Sequence, residues 1–190
     1  MTPAVKPHHH LIVGGQRSGK SGHAERLAAA WLAQAPGREV VVVATAQAWD
    51  EEMRQRIARH RADRPQGWRT VEEPLGLARV IQQEAAPHRL LLVDCLTLWL
   101  TNWLMPMDGQ ADMPAWRLEC EALLGALRQS PSTVVLISNE VGWGVVPLSA
   151  EVRAFVDELG RLNQAVARCC AELTLMVAGQ AWSRPVVGQP

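Results

Sequence analysis

Lysine is almost absent from this 190-residue chain. Of its 19 basic side chains, 17 are arginines, and only Lys6 and Lys20 are lysines. This scarcity excludes chemistry that needs several lysines. The 19 acidic residues balance the basic ones, so the formal net charge is zero. A neutral chain argues against a nucleic-acid binder that works through a bulk positive field, and we expect no nucleic-acid partner.

Long apolar runs and paired cysteines are also missing. No run approaches the roughly 20 apolar residues that cross a bilayer, and the first ten residues lack the apolar segment of a signal peptide. We therefore expect a cytoplasmic protein without a membrane span. The four cysteines show no C-x-x-C spacing. We expect all four to be reduced packing residues rather than metal ligands.

Short apolar runs alternate with segments of helical period. Apolar runs without polar alternation are typical of parallel strands buried on both faces, and they occur at residues 11–13, 40–44, 90–93, 134–137 and 173–177. The pattern predicts an α/β fold in three layers, with a mostly parallel sheet flanked by helices. The length suits a single domain, which we place at residues 10–182, between flexible tails at 1–9 and 183–190.

Between the first strand and the first helix lies the pattern G-x-x-x-x-G-K-[ST]. It indicates a phosphate-binding loop of the P-loop NTPase type, because glycines let backbone N–H groups face the phosphates at a helix N-terminus. A glycine-rich turn without a ligand is the alternative. The predicted nucleotide-binding residues of this loop are Gly14, Gly15, Gln16, Arg17, Ser18, Gly19, Lys20 and Ser21.

Two side chains of this region have predicted roles in catalysis and metal binding. Lys20 would bridge the outer phosphates, and the hydroxyl of Ser21 would bind Mg²⁺. Mg²⁺ also needs an acidic ligand at the end of a neighbouring strand, and Asp94 follows the run at 90–93. A cap of the following helix is the alternative role for Asp94, and both roles are compatible.

A basic cluster surrounds His60 on a helix predicted at residues 50–63. Five arginines lie within the eleven residues 54–64. Such a run is usually a solvated helix face, but beside a triphosphate site it suits a clamp for phosphate oxygens. The neighbouring positive charge should lower the pKa of His60, leaving a neutral imidazole able to attack phosphorus.

The lysine count restricts the phosphate chemistry further. Neither lysine lies in an N-K-x-D motif, so a regulatory GTPase that reads guanine in this way is excluded. With Lys20 assigned to phosphate, no lysine is left to carry a nucleotide covalently. If nucleotide is held covalently, His60 is the leading candidate.

Several sequence blocks together resemble the bifunctional adenosylcobinamide kinase/adenosylcobinamide-phosphate guanylyltransferase family. They occur in the family's order and extend roughly from residue 11 to 179. The blocks lie at residues 14–21, 44–47, 50–53, 56–61, 68–73, 93–97 and 138–142.

This resemblance implies two reactions with Mg²⁺ as cofactor. ATP or GTP phosphorylates the alcohol of adenosylcobinamide, and GTP then transfers GMP to adenosylcobinamide phosphate, releasing pyrophosphate and giving adenosylcobinamide-GDP. The family's guanylyl-carrying histidine matches His60, and its trimeric assembly implies a homo-oligomer. Besides the phosphate loop, the family's nucleotide contacts match Thr45, Ala46, Gln47, Arg61, Ala62, Asp63, Arg64, Glu72 and Asp94.

Two other functions remain open from the residues. A simple P-loop small-molecule kinase would use the arginines as a lid and His60 only structurally. A nucleotide-binding scaffold would use its many tryptophans to bind a partner protein. The eight tryptophans, with no tyrosine and one phenylalanine, suit a flat apolar surface for a ring-bearing substrate or a subunit interface. Glu140 follows a predicted strand and would orient substrate or metal, or be structural.

Overall fold

The computed structural model describes residues 8–62 and 65–187, apart from the side chains of Arg56 and His60. Within these residues the chain forms seven strands and six helices. The strands are β1 (His10–Gly14), β2 (Glu39–Ala44), β3 (Arg69–Glu72), β4 (Arg89–Asp94), β5 (Thr133–Ile137), β6 (Glu172–Val177) and β7 (Gln180–Pro185). The helices are α1 (Lys20–Leu32), α2 (Glu51–Ala62), α3 (Leu77–Glu84), α4 (Leu96–Leu104), α5 (Met113–Gln129) and α6 (Ala150–Ala167).

All seven strands form one sheet in the order β3-β2-β4-β5-β1-β6-β7. Every neighbouring pair is parallel except β6 and β7, which are antiparallel. A two-residue turn with positive φ at Ala178 and Gly179 joins this last pair, as the twist of a tight hairpin requires. The parallel strands therefore place their carboxyl ends on one edge of the sheet.

Apolar side chains cover both faces of the sheet, which makes a three-layer structure. One buried cluster joins alternate residues of the central strands to α3, α4, α5 and α6, and the other joins the opposite face to α1. Strands with both faces buried are apolar throughout, which explains why the central strands lack polar alternation. Among the described residues, no helix combines the length and apolar character that a membrane crossing needs.

The predicted α/β class and its five strands are confirmed, whereas the predicted tails are too long. β7 continues to Pro185, so residues 183–185 belong to the sheet. His9 is 5 % exposed and packs inside the fold, so the ordered domain begins before residue 10. All four cysteines are free, and burial raises the pKa of the thiols of Cys120 and Cys170 to about 12.

His9 provides a test of this packing, because its ring is buried in the neutral form. Its Nε2 donates to the carbonyl of Leu127 (2.8 Å), while its Nδ1 accepts from the N–H of Val134 (3.2 Å). Protonation of Nδ1 would remove the second bond, and burial lowers the pKa of His9 below its ordinary value of 6.5. His9 therefore binds a proton more readily in the unfolded chain than in the folded chain.

We expect the free energy of unfolding to be highest above pH 6.5 and to fall as the pH drops below it, because His9 is protonated first in the unfolded state. Urea unfolding at about pH 7.5 and about pH 5.5 measures this difference. His9→Gln should show a weaker pH dependence than wild type, and His88→Gln, at an exposed position, should keep the full dependence. An unchanged dependence in His9→Gln would contradict the assignment.

Two helical glycines provide a second test. A Cβ added at Gly125 in α5 or at Gly160 in α6 meets no heavy atom within 4 Å. Gly125→Ala and Gly160→Ala should therefore each raise the free energy of unfolding by about 0.5 to 1 kcal/mol, since glycine loses more conformational freedom than alanine when it folds into a helix. Gly14→Ala should lower it, because its Cβ would collide with the carbonyl oxygen of Met176. Urea unfolding of the three variants tests these signs.

Candidate active site

The phosphate loop joins β1 to α1 and is braced by the β6–β7 turn. The N–H of Ser18 donates to the carbonyl of Gly15 (3.3 Å), and the N–H of Gly179 donates to the carbonyl of Ser18 (3.0 Å). Gly19 adopts φ +98°, and a Cβ there would lie 3.3 Å from the Cα of Gly179. Glycine at position 19 thus allows both the left-handed backbone and the close approach of the turn.

Lys20, at the first position of α1, folds back over the loop. Its side chain is largely buried, with the residue 7 % exposed. The ammonium Nζ donates to the carbonyls of Gly14 (3.0 Å) and Gly15 (2.6 Å), and it lies 3.5 Å from the hydroxyl of Ser18. These oxygens hold the cation at the mouth of the loop, where phosphate oxygens can take their place.

A cavity of about 750 Å³ opens above this loop. It lies where the carboxyl ends of the parallel strands meet, which is the usual ligand position in such sheets. Its lining includes four cations and two carboxylates, a balance that suits an anionic ligand. These charged residues are Arg17, Lys20, Arg54, Arg61, Glu72 and Asp94.

Ser21 and Asp94 both line the cavity, from the start of α1 and from the end of β4. A hydroxyl and a carboxylate are the hard oxygen ligands that Mg²⁺ prefers, so this donor pair fits the ion. The described residues contain no group of three His, Cys, Asp or Glu side chains arranged for a metal. Phosphate oxygens and water would therefore complete the coordination. Cys95, and not Asp94, occupies the N-cap position of α4.

The segment after β2 contributes less to the cavity than the resemblance implies. Ala46 lines it, whereas Thr45 and Gln47 do not. Thr45 is fully buried, and its hydroxyl accepts from the N–H of Cys95 and donates to the carbonyl of the same residue, both at 2.8 Å. Thr45 thus fixes the chain after Asp94. Gly14 and Gly15 likewise act through their carbonyls rather than as lining residues.

Helix α2 covers the cavity with its few apolar side chains. Asp50 caps the helix by accepting from the N–H of Met53 (2.7 Å). Met53 and Ile57, one helical turn apart, are half-buried and line the cavity together with Arg54 and Ala58. None of the described side chains of α2 is fully buried. Helix α2 therefore presents a narrow apolar face to the cavity.

The predicted guanine-nucleotide residues at the end of α2 are placed only in part. Arg61 forms an ion pair with Glu72 at the end of β3, and both line the cavity. The same two residues border a second hollow of about 430 Å³ beside Trp68. Ala62 is exposed and does not line either space. The side chain of His60, together with Asp63 and Arg64, lies outside the described residues.

Sequence reasoning named Glu140, after β5, but missed its neighbour Asn139 as a residue of the cavity. Asn139 lines the cavity, and the N–H of Glu140 donates to the carbonyl of Gly14 (3.2 Å). Asn163 of α6 donates from its amide to the carbonyl of Asn139 (3.0 Å) and to Oε1 of Glu140 (3.2 Å). Glu140 therefore has a structural tie to the phosphate loop. The position of Asn139 at the carboxyl end of a parallel strand was the available signal.

Residues 10–183 match the family model described as cobinamide kinase / cobinamide phosphate guanyltransferase. The chain belongs to this family. It is 53% identical over 182 residues to the bifunctional adenosylcobalamin biosynthesis protein CobP of Pseudomonas aeruginosa, covering 95% of this chain and 98% of that protein. The corresponding protein CobU of Escherichia coli is 39% identical over 178 residues, covering 89% and 95%. The predicted membership in the cobinamide kinase family is thus confirmed.

A solved structure shows the wider fold relationship. It is an ATPase domain that matches with a TM-score of 0.50 at 14% identity, covering 88% of this chain and 68% of that chain. At this identity the similarity concerns the fold alone. It supports the predicted fold class, an α/β fold with a mostly parallel sheet flanked by helices.

Proposed function

We propose that this protein phosphorylates adenosylcobinamide with ATP or GTP and then transfers GMP from GTP to adenosylcobinamide phosphate. The observation that carries the proposal is the cavity lined by Lys20, Ser21 and Asp94 from the sheet side and by arginines of α2 from above. Such a cavity suits a metal-bound nucleoside triphosphate. Membership in the cobinamide kinase family indicates the second substrate, the cobinamide acceptor.

Phosphorylation needs no nucleophile from the protein. The alcohol oxygen of the acceptor attacks the γ-phosphorus and loses its proton to water, the bond from that phosphorus to the β-γ bridging oxygen breaks, and the nucleoside diphosphate leaves. Lys20 exchanges the carbonyls of Gly14 and Gly15 for phosphate oxygens and offsets their developing charge. Ser21 and Asp94 would hold Mg²⁺, which neutralises phosphate charge when bound.

Guanylyl transfer uses His60 as a covalent carrier. The neutral imidazole attacks the α-phosphorus of GTP, a P–N bond forms, and the P–O bond to the β-phosphate breaks to release pyrophosphate. A phosphate oxygen of adenosylcobinamide phosphate then displaces the histidine. Two displacements on one phosphorus split a difficult transfer into easier steps. Arg54 and Arg61 line the cavity, which supports a role for their guanidinium groups in binding phosphate oxygens.

Product analysis tests this function. Purified protein incubated with GTP, Mg²⁺ and adenosylcobinamide should form adenosylcobinamide phosphate and then adenosylcobinamide-GDP with pyrophosphate. Mass spectrometry of samples taken over time measures these products. A simple kinase would stop at the phosphate even with excess GTP. A nucleotide-binding scaffold would bind GTP and leave adenosylcobinamide unchanged. Either result would contradict the proposal.

A further inference from the structure

Exposed apolar side chains are concentrated in one segment. Among the described residues, thirteen large hydrophobic side chains are exposed, and six of them lie within residues 141–152. We call residues 141–148, between β5 and α6, the apolar loop. The four most exposed of its side chains are Trp143 (70 %), Val145 (96 %), Val146 (72 %) and Leu148 (99 %).

The apolar loop is held by its flanks and its backbone rather than by these side chains. At its end, Arg153 of α6 donates to the carbonyls of Pro147 (2.8 Å) and Leu148 (2.6 Å). Just before its start, the N–H of Glu140 is bonded to Gly14. Because contact between water and apolar surface is unfavourable, a loop fixed with its apolar side chains outward is suited to binding an apolar partner.

The apolar loop directly follows residues of the nucleotide site in the chain. It begins two residues after Asn139, which lines the nucleotide cavity, and one residue after Glu140, which is bonded to the phosphate loop. A cavity of about 750 Å³ has the usual size for one small ligand. When nucleotide fills it, a large acceptor has to lie outside, with only its reactive arm reaching the outer phosphate.

We propose that the apolar loop binds the corrin macrocycle of the acceptor. The inference rests on the proposed function, which requires a large ring system whose alcohol reaches the triphosphate. Trp143 offers a flat face for stacking on the ring, and Val145, Val146 and Leu148 offer aliphatic contact. A second copy of this chain is the other occupant that such a surface suits, and the experiment distinguishes the two.

The test compares a triple variant, Trp143→Ser/Val145→Ser/Leu148→Ser, with wild type. Leu118→Ser is the matched control, because Leu118 is 68 % exposed on α5 and does not line the nucleotide cavity. The measurements are the KM for adenosylcobinamide in the kinase reaction, labelling of the enzyme by GTP without acceptor, and molar mass by light scattering. We expect the triple variant to raise the KM at least about tenfold. Labelling by GTP and molar mass should stay at wild-type values.

Four results would overturn the inference. An unchanged KM in the triple variant shows that the apolar loop does not bind the acceptor. If the triple variant has a lower molar mass, a raised KM and no labelling by GTP, the loop instead forms contacts between copies of the chain. A wild-type protein that binds GTP but does not phosphorylate adenosylcobinamide removes the proposed function, and the inference with it. The control has to match wild type in all three measurements, and a raised KM in Leu118→Ser would also contradict a specific role of the loop.

Discussion

His60→Ala should abolish the guanylylated enzyme and lower GMP transfer by more than about 1,000-fold, because the covalent carrier is removed. Phosphorylation of adenosylcobinamide should stay within about threefold of wild type, since that step needs no protein nucleophile. Radiolabelled GTP measures the adduct, and γ-labelled ATP measures phosphorylation in the same preparation. The variant therefore separates the two activities.

His88→Ala is the matched control for this separation. His88 is exposed on the turn before β4 and lies outside the cavity lining. Its variant should retain the adduct and both activities. A GMP adduct that persists in His60→Ala would contradict the assignment of the carrier. Equal loss of both activities would contradict the separation of the two steps.

Lys20→Ala should lower both activities by about 100- to 1,000-fold, because one preorganised cation is lost from the phosphates in each reaction. The same ammonium donates hydrogen bonds to the carbonyls of Gly14 and Gly15, so the substitution also loosens the loop. Steady-state rates with ATP and with GTP measure the effect. Thermal unfolding by circular dichroism checks that the variant is folded at the assay temperature.

Lys6→Ala replaces the other lysine of the chain and is the control for removal of a basic side chain. It should leave both rates at wild-type values. If Lys20→Ala impaired only one reaction, the two transfers would not share the phosphate loop. The account of one cavity serving both steps would then be wrong.

The central sheet was predictable because its strands are buried on both faces and are therefore apolar throughout. The two edge strands, β3 and β7, were not predictable from the sequence. β3 has only four residues, none of them buried, and every residue of β7 is exposed. Edge strands owe their place to backbone pairing with a neighbour, which leaves little trace in side-chain pattern. The structure also shows α3 and α5, which were not predicted.

The site was predictable where a local backbone motif defines it, as at Gly19 and Lys20. The role of Thr45 was not predictable, because its hydroxyl is hydrogen-bonded to the backbone of Cys95, fifty residues away in sequence. The same holds for Asn163, which holds Asn139 and Glu140 from a distant helix. Contacts of this kind depend on how the elements pack. The predicted catalytic role of His60 and the predicted homo-oligomer stay predictions.

The most direct measurement of the central claim is a chase experiment on the isolated adduct. Enzyme labelled with α-³²P GTP is freed of unbound nucleotide and divided into three portions. One portion is treated with acid, one with alkali, and one with adenosylcobinamide phosphate. We predict that the label is released by acid, survives alkali, and passes to adenosylcobinamide phosphate as adenosylcobinamide-GDP, because a phosphoramidate of His60 carries it. Label that never attaches to the enzyme, or an attached label that does not transfer to the acceptor, would contradict the account.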